Sequence, residues 1–150
     1  MEPLPHQYEV TVKGTAVGYT ELNSTALTPI ISAPPAEFGG PGNLWSPETL
    51  LVAAAADCFV LTFRAVAHAS KLDWVSITCN GKGTVDRADG VIRFTAVQLQ
   101  TELTVPAGGD VEKAQRTLEK AHKSCIAGNS LICRPTVEIR ITVEQPAFAA

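Results

Sequence analysis

Four thiols stand out among the side chains able to do chemistry: Cys58, Cys79, Cys125 and Cys133. Their spacings are wide and irregular and include no Cys-x-x-Cys pair, which disfavours a zinc site. In a reducing compartment structural disulfides are also disfavoured. Two of the four are distinguished by position. Cys58 lies inside the most apolar stretch of the chain, beside Asp57, and Cys125 follows the basic residues Lys120, His122 and Lys123. A free thiol, with a pKa of about 8.5, is only a few per cent thiolate at neutral pH, and burial lowers that fraction further. A reactive thiol therefore needs a cation, a hydrogen-bond donor or a helix N-terminus nearby. The basic cluster could serve Cys125. Nothing adjacent in sequence serves Cys58, because Asp57 is an acid. Spacing alone leaves two readings open, a two-thiol redox pair and a set of buried small hydrophobes. Cys79 falls on the apolar side of a strand pattern and reads as core, and Cys133 precedes the last strand and fits either role.

The element that must carry Cys58 is the run 46–71. Ser46 suits an N-cap and Pro47 the first helical position. Glu48 falls in the first turn, where the helix dipole favours an anion. The run is apolar nearly all round, so it is expected to be buried on most sides. Its length raises the question of a membrane span, which Asp57, Arg64 and its richness in alanine argue against. A second helix begins at Asp110 and runs to about Lys123, with Val111, Ala114, Leu118 and Ala121 as its apolar stripe.

Strands surround these helices. Residues 7–13 alternate, with Tyr8, Val10 and Val12 on one face, and predict a half-buried strand. Strands at 15–22 and 27–32 follow, the latter an edge or bulged strand because of Pro29. Residues 74–85 and 92–105 form a hairpin, and 135–144 is the most regular strand of all. The glycine-rich loop at 38–43 lacks both the dinucleotide spacing and the Gly-Lys-Ser/Thr ending of phosphate-binding loops, and reads as a lead into the first helix. Phe38, Trp45 and Phe59 are candidates to line an apolar pocket, or simply to pack.

The order of strands and segregated helices predicts an α+β fold, and 150 residues without repeats or a long linker predict one domain, 1–150. A net charge of −3 leaves no basic footprint for nucleic acid. The first sixteen residues show no signal-peptide pattern, so a cytoplasmic location is the expectation.

Two motifs carry a family resemblance. Residues 33–59 read APPAEFGGPGNLWSPETLLVAAAADCF: a Gly-Gly-x-Gly loop, Ser-Pro-Glu, and an alanine-rich helix ending in Asp-Cys-Phe. Residues 122–130 read HKSCIAGNS. Together they resemble the OsmC/Ohr superfamily, that is, osmotically inducible protein C and the organic hydroperoxide resistance proteins. The resemblance implies antiparallel sheets packed on two helices, in an intertwined homodimer whose sites lie at the interface and whose central helix is buried. It implies a thiol peroxidase that reduces organic hydroperoxides without metal, haem or other cofactor. Cys58 would be the attacking thiolate, Cys125 the resolving thiol, and Glu48 the Pro-Glu glutamate of the site. An external dithiol, small or borne on a lipoylated protein, would restore the thiols. Two departures are visible. The family arginine that pairs the thiolate has no counterpart, since no arginine precedes Arg64 and Lys13 is the only basic residue between His6 and Arg64. Ile126 also stands where the hydroperoxide-resistance branch has proline. Without a basic partner, Cys58 is expected to keep a pKa near the free value. The rival expectation is a ligand-binding or redox-sensing protein of the same fold with little turnover.

Overall fold

The computed structural model describes residues 2–145. They fall into two compact units, one through Leu50 and one from Leu51.

In the first unit, β1 (Thr11–Lys13), β2 (Thr20–Asn23) and β3 (Ile30–Ser32) form an antiparallel sheet in the order β1-β2-β3. The first strand is shorter than its alternation implies. Its partner β2 spans only four residues, in the register Thr11↔Asn23 to Lys13↔Glu21, so residues 7–10 alternate without a ladder. Nor is its apolar face half-buried: Tyr8, Val10 and Val12 are all exposed in the single chain. Strand β3 begins after Pro29, which has no N–H to give a ladder, and lies at the edge of the sheet.

The helix α1 runs unbroken from Pro47 to Ser70. Ser46 starts it with a reciprocal cap: its Oγ accepts from the Thr49 N–H at 3.1 Å, and its own N–H donates to Thr49 Oγ1 at 2.8 Å. By length and composition α1 would also cross a membrane. In the second unit one face of it is packed into the core through Ala55, Phe59, Phe63 and Ala67, at four-residue spacing. The expectation of burial on most sides is not met within one chain. Leu61 is exposed, and so is Asp57, which therefore needs no buried partner.

The second unit continues with β4 (Ser76–Ala88), β5 (Val91–Val105), α2 (Val111–Ser124), the short α3 (Ile126–Ser130) and β6 (Thr136–Val143). Asp110 caps α2 by accepting from the Lys113 N–H. The hairpin β4–β5 is antiparallel, but β6 pairs with β5 in parallel, so this sheet is mixed where antiparallel sheets were expected. A helical crossover explains the difference: α2 carries the chain back along the sheet before β6 begins, and the return strand then runs the same way. A third helix, α3, is added to the two expected. Val97, Leu99, Thr101, Leu103 and Val105 point from β5 into the core, where they meet Phe59 and Phe63 of α1 and Ala114, Leu118 and Ala121 of α2. Gly83 lets α1 approach β4 closely: a Cβ there would stand 2.7 Å from Val52 and 2.5 Å from Phe94.

Candidate functional site

Cys58 sits in the middle of α1, half-buried beside the fully buried Phe59. Cys125 sits where α2 ends and α3 begins, and is 2% exposed. It is at once the C-cap of α2 and the N-cap of α3, its Sγ accepting from the Gly128 N–H at 3.4 Å. The turn it caps presents the next amide to the other sulfur. Ala127 N–H donates to Cys58 Sγ at 3.5 Å. Both thiols are free, and each influences the acidity of the other.

The electrostatics of the pair are asymmetric. Burial by itself would raise the Cys58 pKa, but donors from the Ala127 N–H, the Cys125 thiol, the Thr62 hydroxyl and the Ile126 N–H outweigh it and hold Cys58 below the ordinary thiol value. Burial pushes Cys125 up; the Gly128 N–H opposes this, and the charge and hydrogen bond of Cys58 reinforce it. Cys58 is therefore the more acidic of the two sulfurs, and Cys125 the one that holds its proton more firmly. This arrangement can attack an electrophile with the first sulfur and keep the second protonated alongside.

The donors are not those expected for this pair. His122 donates Nε2–H to Pro135 O at 2.8 Å and so ties α2 to the segment before β6, while Lys120 and Lys123 are exposed. The groups that the sequence reading passed over are Thr62, one turn after Cys58 on α1, and the amides of Ile126, Ala127 and Gly128. Backbone amides leave no mark of their own in the sequence, and a cysteine is not among the usual N-cap residues, so no local signal pointed to them.

Glu48 is not brought to the thiols by its own chain. It stands ten residues before Cys58 on one unbroken helix, which is about 15 Å of rise. Of the aromatic candidates, Phe59 is core, Trp45 is exposed, and Phe38 lines a cavity that Glu48 also lines. Cys79 packs against the core and accepts from Thr101 Oγ1 at 3.7 Å, and Cys133 packs against the core as well. Among the described residues no cluster of three or more His, Cys, Asp or Glu could hold a metal ion.

Comparison with known proteins agrees with this architecture. The profile of the OsmC-like proteins matches residues 40–140, which include Cys58 and Cys125. The chain belongs to this family. An organic hydroperoxide resistance protein of Xanthomonas axonopodis pv. citri is 27% identical over 146 residues, covering 93% of this chain and 97% of its own. A protein named YmaD from Bacillus subtilis is 24% identical over 113 residues, covering 73% of this chain and 75% of its own. Among solved structures, an OsmC-like protein from Vibrio cholerae superposes with a TM-score of 0.83 at 17% identity, covering 91% of this chain and all of that one. An organic hydroperoxide resistance protein from Legionella pneumophila superposes with a TM-score of 0.73 at 22% identity, covering 94% and 100%. At these identities the superpositions show the α+β OsmC fold.

Proposed function

We propose that this chain is a cysteine-based peroxidase that reduces organic hydroperoxides to alcohols. The asymmetric thiol pair is the observation that carries this reading: Cys58 shifted below the ordinary thiol value by surrounding donors, and Cys125 shifted above it. The Cys58 thiolate attacks the terminal peroxide oxygen and the O–O bond breaks. The alkoxide leaves and takes a proton as the alcohol, and Cys58 becomes a sulfenic acid. The Cys125 sulfur then attacks the Cys58 sulfur. Water leaves with the hydroxyl, and a Cys58–Cys125 disulfide remains. An external dithiol, small or borne on a lipoylated protein, reduces that disulfide by exchange and is itself oxidised. No metal or organic cofactor enters these steps.

The same reading takes the protein to be a soluble, cytoplasmic, single-domain homodimer in peroxide defence. A second copy would cover the outer face of α1, where Leu61 is exposed, and the apolar side chains of β1 and the segment before it, where Tyr8, Val10 and Val12 are exposed in one chain. Glu48 takes no step within one chain and would join a thiol pair only across that dimer. Sedimentation should give twice 15.9 kDa at micromolar concentration.

The rival reading, a binding or sensing protein with little turnover, rests on the missing arginine. The amide and hydroxyl donors on Cys58 weaken that ground. Steady-state consumption of cumene hydroperoxide with a dithiol donor separates the two, and no turnover would leave the rival. An enzyme of this kind should prefer cumene hydroperoxide to hydrogen peroxide. Burying roughly 60 Å² of apolar substituent is worth about 1.5 kcal/mol, or roughly tenfold in kcat/KM.

A further inference from the structure

Where the end of α1 lies beside α2, wholly within the second unit, the two helices leave a groove of about 320 Å³. Its walls differ in character. Val66 and Ala69 of α1 make one wall apolar, and Lys113, Arg116 and Lys120 of α2 make the other cationic. These three follow one another at helical spacing, so they share one face of α2. Among the described residues no acid lines the groove. The acids nearest in sequence offset its charge only slightly. Glu112 stands 3.6 Å from Arg116 Nη1 with both side chains largely exposed, a pairing worth little. Glu119 accepts from Gln115 Nε2 at 2.8 Å instead of meeting Lys120. Lys113 is half-buried, and its Nζ donates to Lys71 O at 3.0 Å, which ties that ammonium to the end of α1 and leaves its other N–H groups free. The hydroxyls of the groove are committed to the backbone: Thr117 donates to Lys113 O and Ser70 to Ala67 O. Like charges gathered in one wall without a counter-charge repel one another, so an anion is what the groove lacks.

We propose that this groove binds a small phosphate monoester, with its phosphate on Lys113, Arg116 and Lys120 and its organic body against Val66 and Ala69. Such a phosphate carries about −1.5 to −2 charges at neutral pH, and so matches three cations of which one is partly paired. The Arg116 guanidinium brings a planar fork of donors that fits phosphate, and the ammoniums before and after it on the helix act as point charges. A carboxylate brings a single charge and fewer acceptors and binds less well. An amine brings like charge and is rejected. The groove lies on the flank of α1 beside α2, whereas Leu61, Arg64 and His68 line a separate hollow. It takes no part in the thiol chemistry and goes beyond it.

The test is calorimetric titration of the whole protein at neutral pH with phenyl phosphate, and with benzoate and inorganic phosphate as its counterparts. Amide chemical shifts locate the binding. Phenyl phosphate should bind about tenfold more tightly than benzoate and about threefold more tightly than inorganic phosphate, and should shift amides within residues 66–71 and 113–120. Raising sodium chloride from about 50 to about 200 mM should weaken it several-fold. Arg116→Gln and Lys120→Gln should each remove about fivefold of the affinity. Lys123→Gln, on the same helix but outside the groove, should remove less than about twofold. Equal affinity for benzoate overturns the proposal. Equal affinity for inorganic phosphate also overturns it, because the site would then take the free ion without an organic body. Shifts confined to other residues, or no binding of phenyl phosphate, overturn it as well. These readouts need no variant, so a substituted protein that fails to fold would not shield it. If Lys123→Gln costs as much as Lys120→Gln, the helix attracts anions by its general charge and the groove is not the site. No peroxide or thiol chemistry enters the measurement, so its failure would leave the peroxidase reading standing.

Discussion

Cys58 and Cys79 are both half-buried thiols packed against the same core, and each accepts a hydrogen bond from a threonine hydroxyl. They are nevertheless pushed in opposite directions. Burial raises the Cys79 pKa, and the Thr101 hydroxyl only partly opposes it. At Cys58 the same penalty is outweighed. The difference lies in the backbone around each sulfur. Cys79 stands in the β4–β5 ladder opposite Thr101, where the amides are committed to strand pairing. Cys58 faces the first turn of α3, whose leading N–H groups have no partner within the helix. A single hydroxyl does not offset the burial of a sulfur, whereas a turn of free amides added to it does.

The comparison breaks most directly by removing each sulfur. Cys58→Ser should lower hydroperoxide turnover by about a thousandfold or more, since the nucleophile itself is lost. Cys79→Ala should leave turnover within about threefold and cost about 1 kcal/mol of stability in urea titration, as a small core truncation does. Comparable loss of activity in both proteins would mean that the surroundings of the two thiols do not distinguish their chemistry.

The second partner sharpens the picture. In Cys125→Ser the first oxidation of Cys58 should still occur, and a sulfenic acid should accumulate that dimedone traps and mass spectrometry places on Cys58. Dithiol-driven recycling should slow roughly ten- to a hundredfold, because the exchange route through an internal disulfide is gone. An unchanged recycling rate would remove Cys125 from the cycle.

A third change acts on the scaffold. Gly83→Ala adds a Cβ that would stand 2.7 Å from Val52 of α1. Overpacking of this kind costs about 1–3 kcal/mol. Urea denaturation should show that loss, and a neutral result would mean that α1 can move away from β4 freely.

Much of this scaffold is readable in the sequence. The alternation at 97–105, the stripe of α2 and the N-cap Ser46 are local patterns that survive in the fold. The parallel return of β6 is not local. It depends on where α2 sets the chain down, which periodicity does not encode. The two cysteine segments are legible through their motifs, but the activating donors are not. Two of them, at Ile126 and Ala127, are backbone amides, which every residue possesses and which acquire meaning only once Cys125 caps α3. Reading charge alone pointed to Lys120, His122 and Lys123 for Cys125, whereas His122 holds Pro135 instead. The uncovered face of α1 is legible only as an excess of apolar residues, since a single chain gives it nothing to pack against.

The smallest expected effect tests the hydroxyl alone. Thr62 lies one turn after Cys58 and donates to it. Thr62→Val keeps the shape of the side chain and removes the donor. A depressed thiol pKa means that the thiolate fraction, and with it the alkylation rate, rises with pH and levels off below the range of a free thiol, which titrates at about 8.5. The iodoacetamide reaction of Cys58 in the unmodified protein should follow that profile. Losing one donor moves the profile upward, so less thiolate is present at neutral pH. A hydrogen bond of about 0.5–1 kcal/mol corresponds to roughly two- to fivefold in that fraction. Peptide mapping keeps the readout on Cys58 and away from Cys79 and Cys133. If Thr62→Val leaves the profile in place, the α3 amides and the Cys125 thiol hold the sulfur without it. If the profile moves all the way to that of a free thiol, the hydroxyl is the main support, and the contrast drawn with Cys79, whose hydroxyl partner fails to lower its pKa, would be wrong.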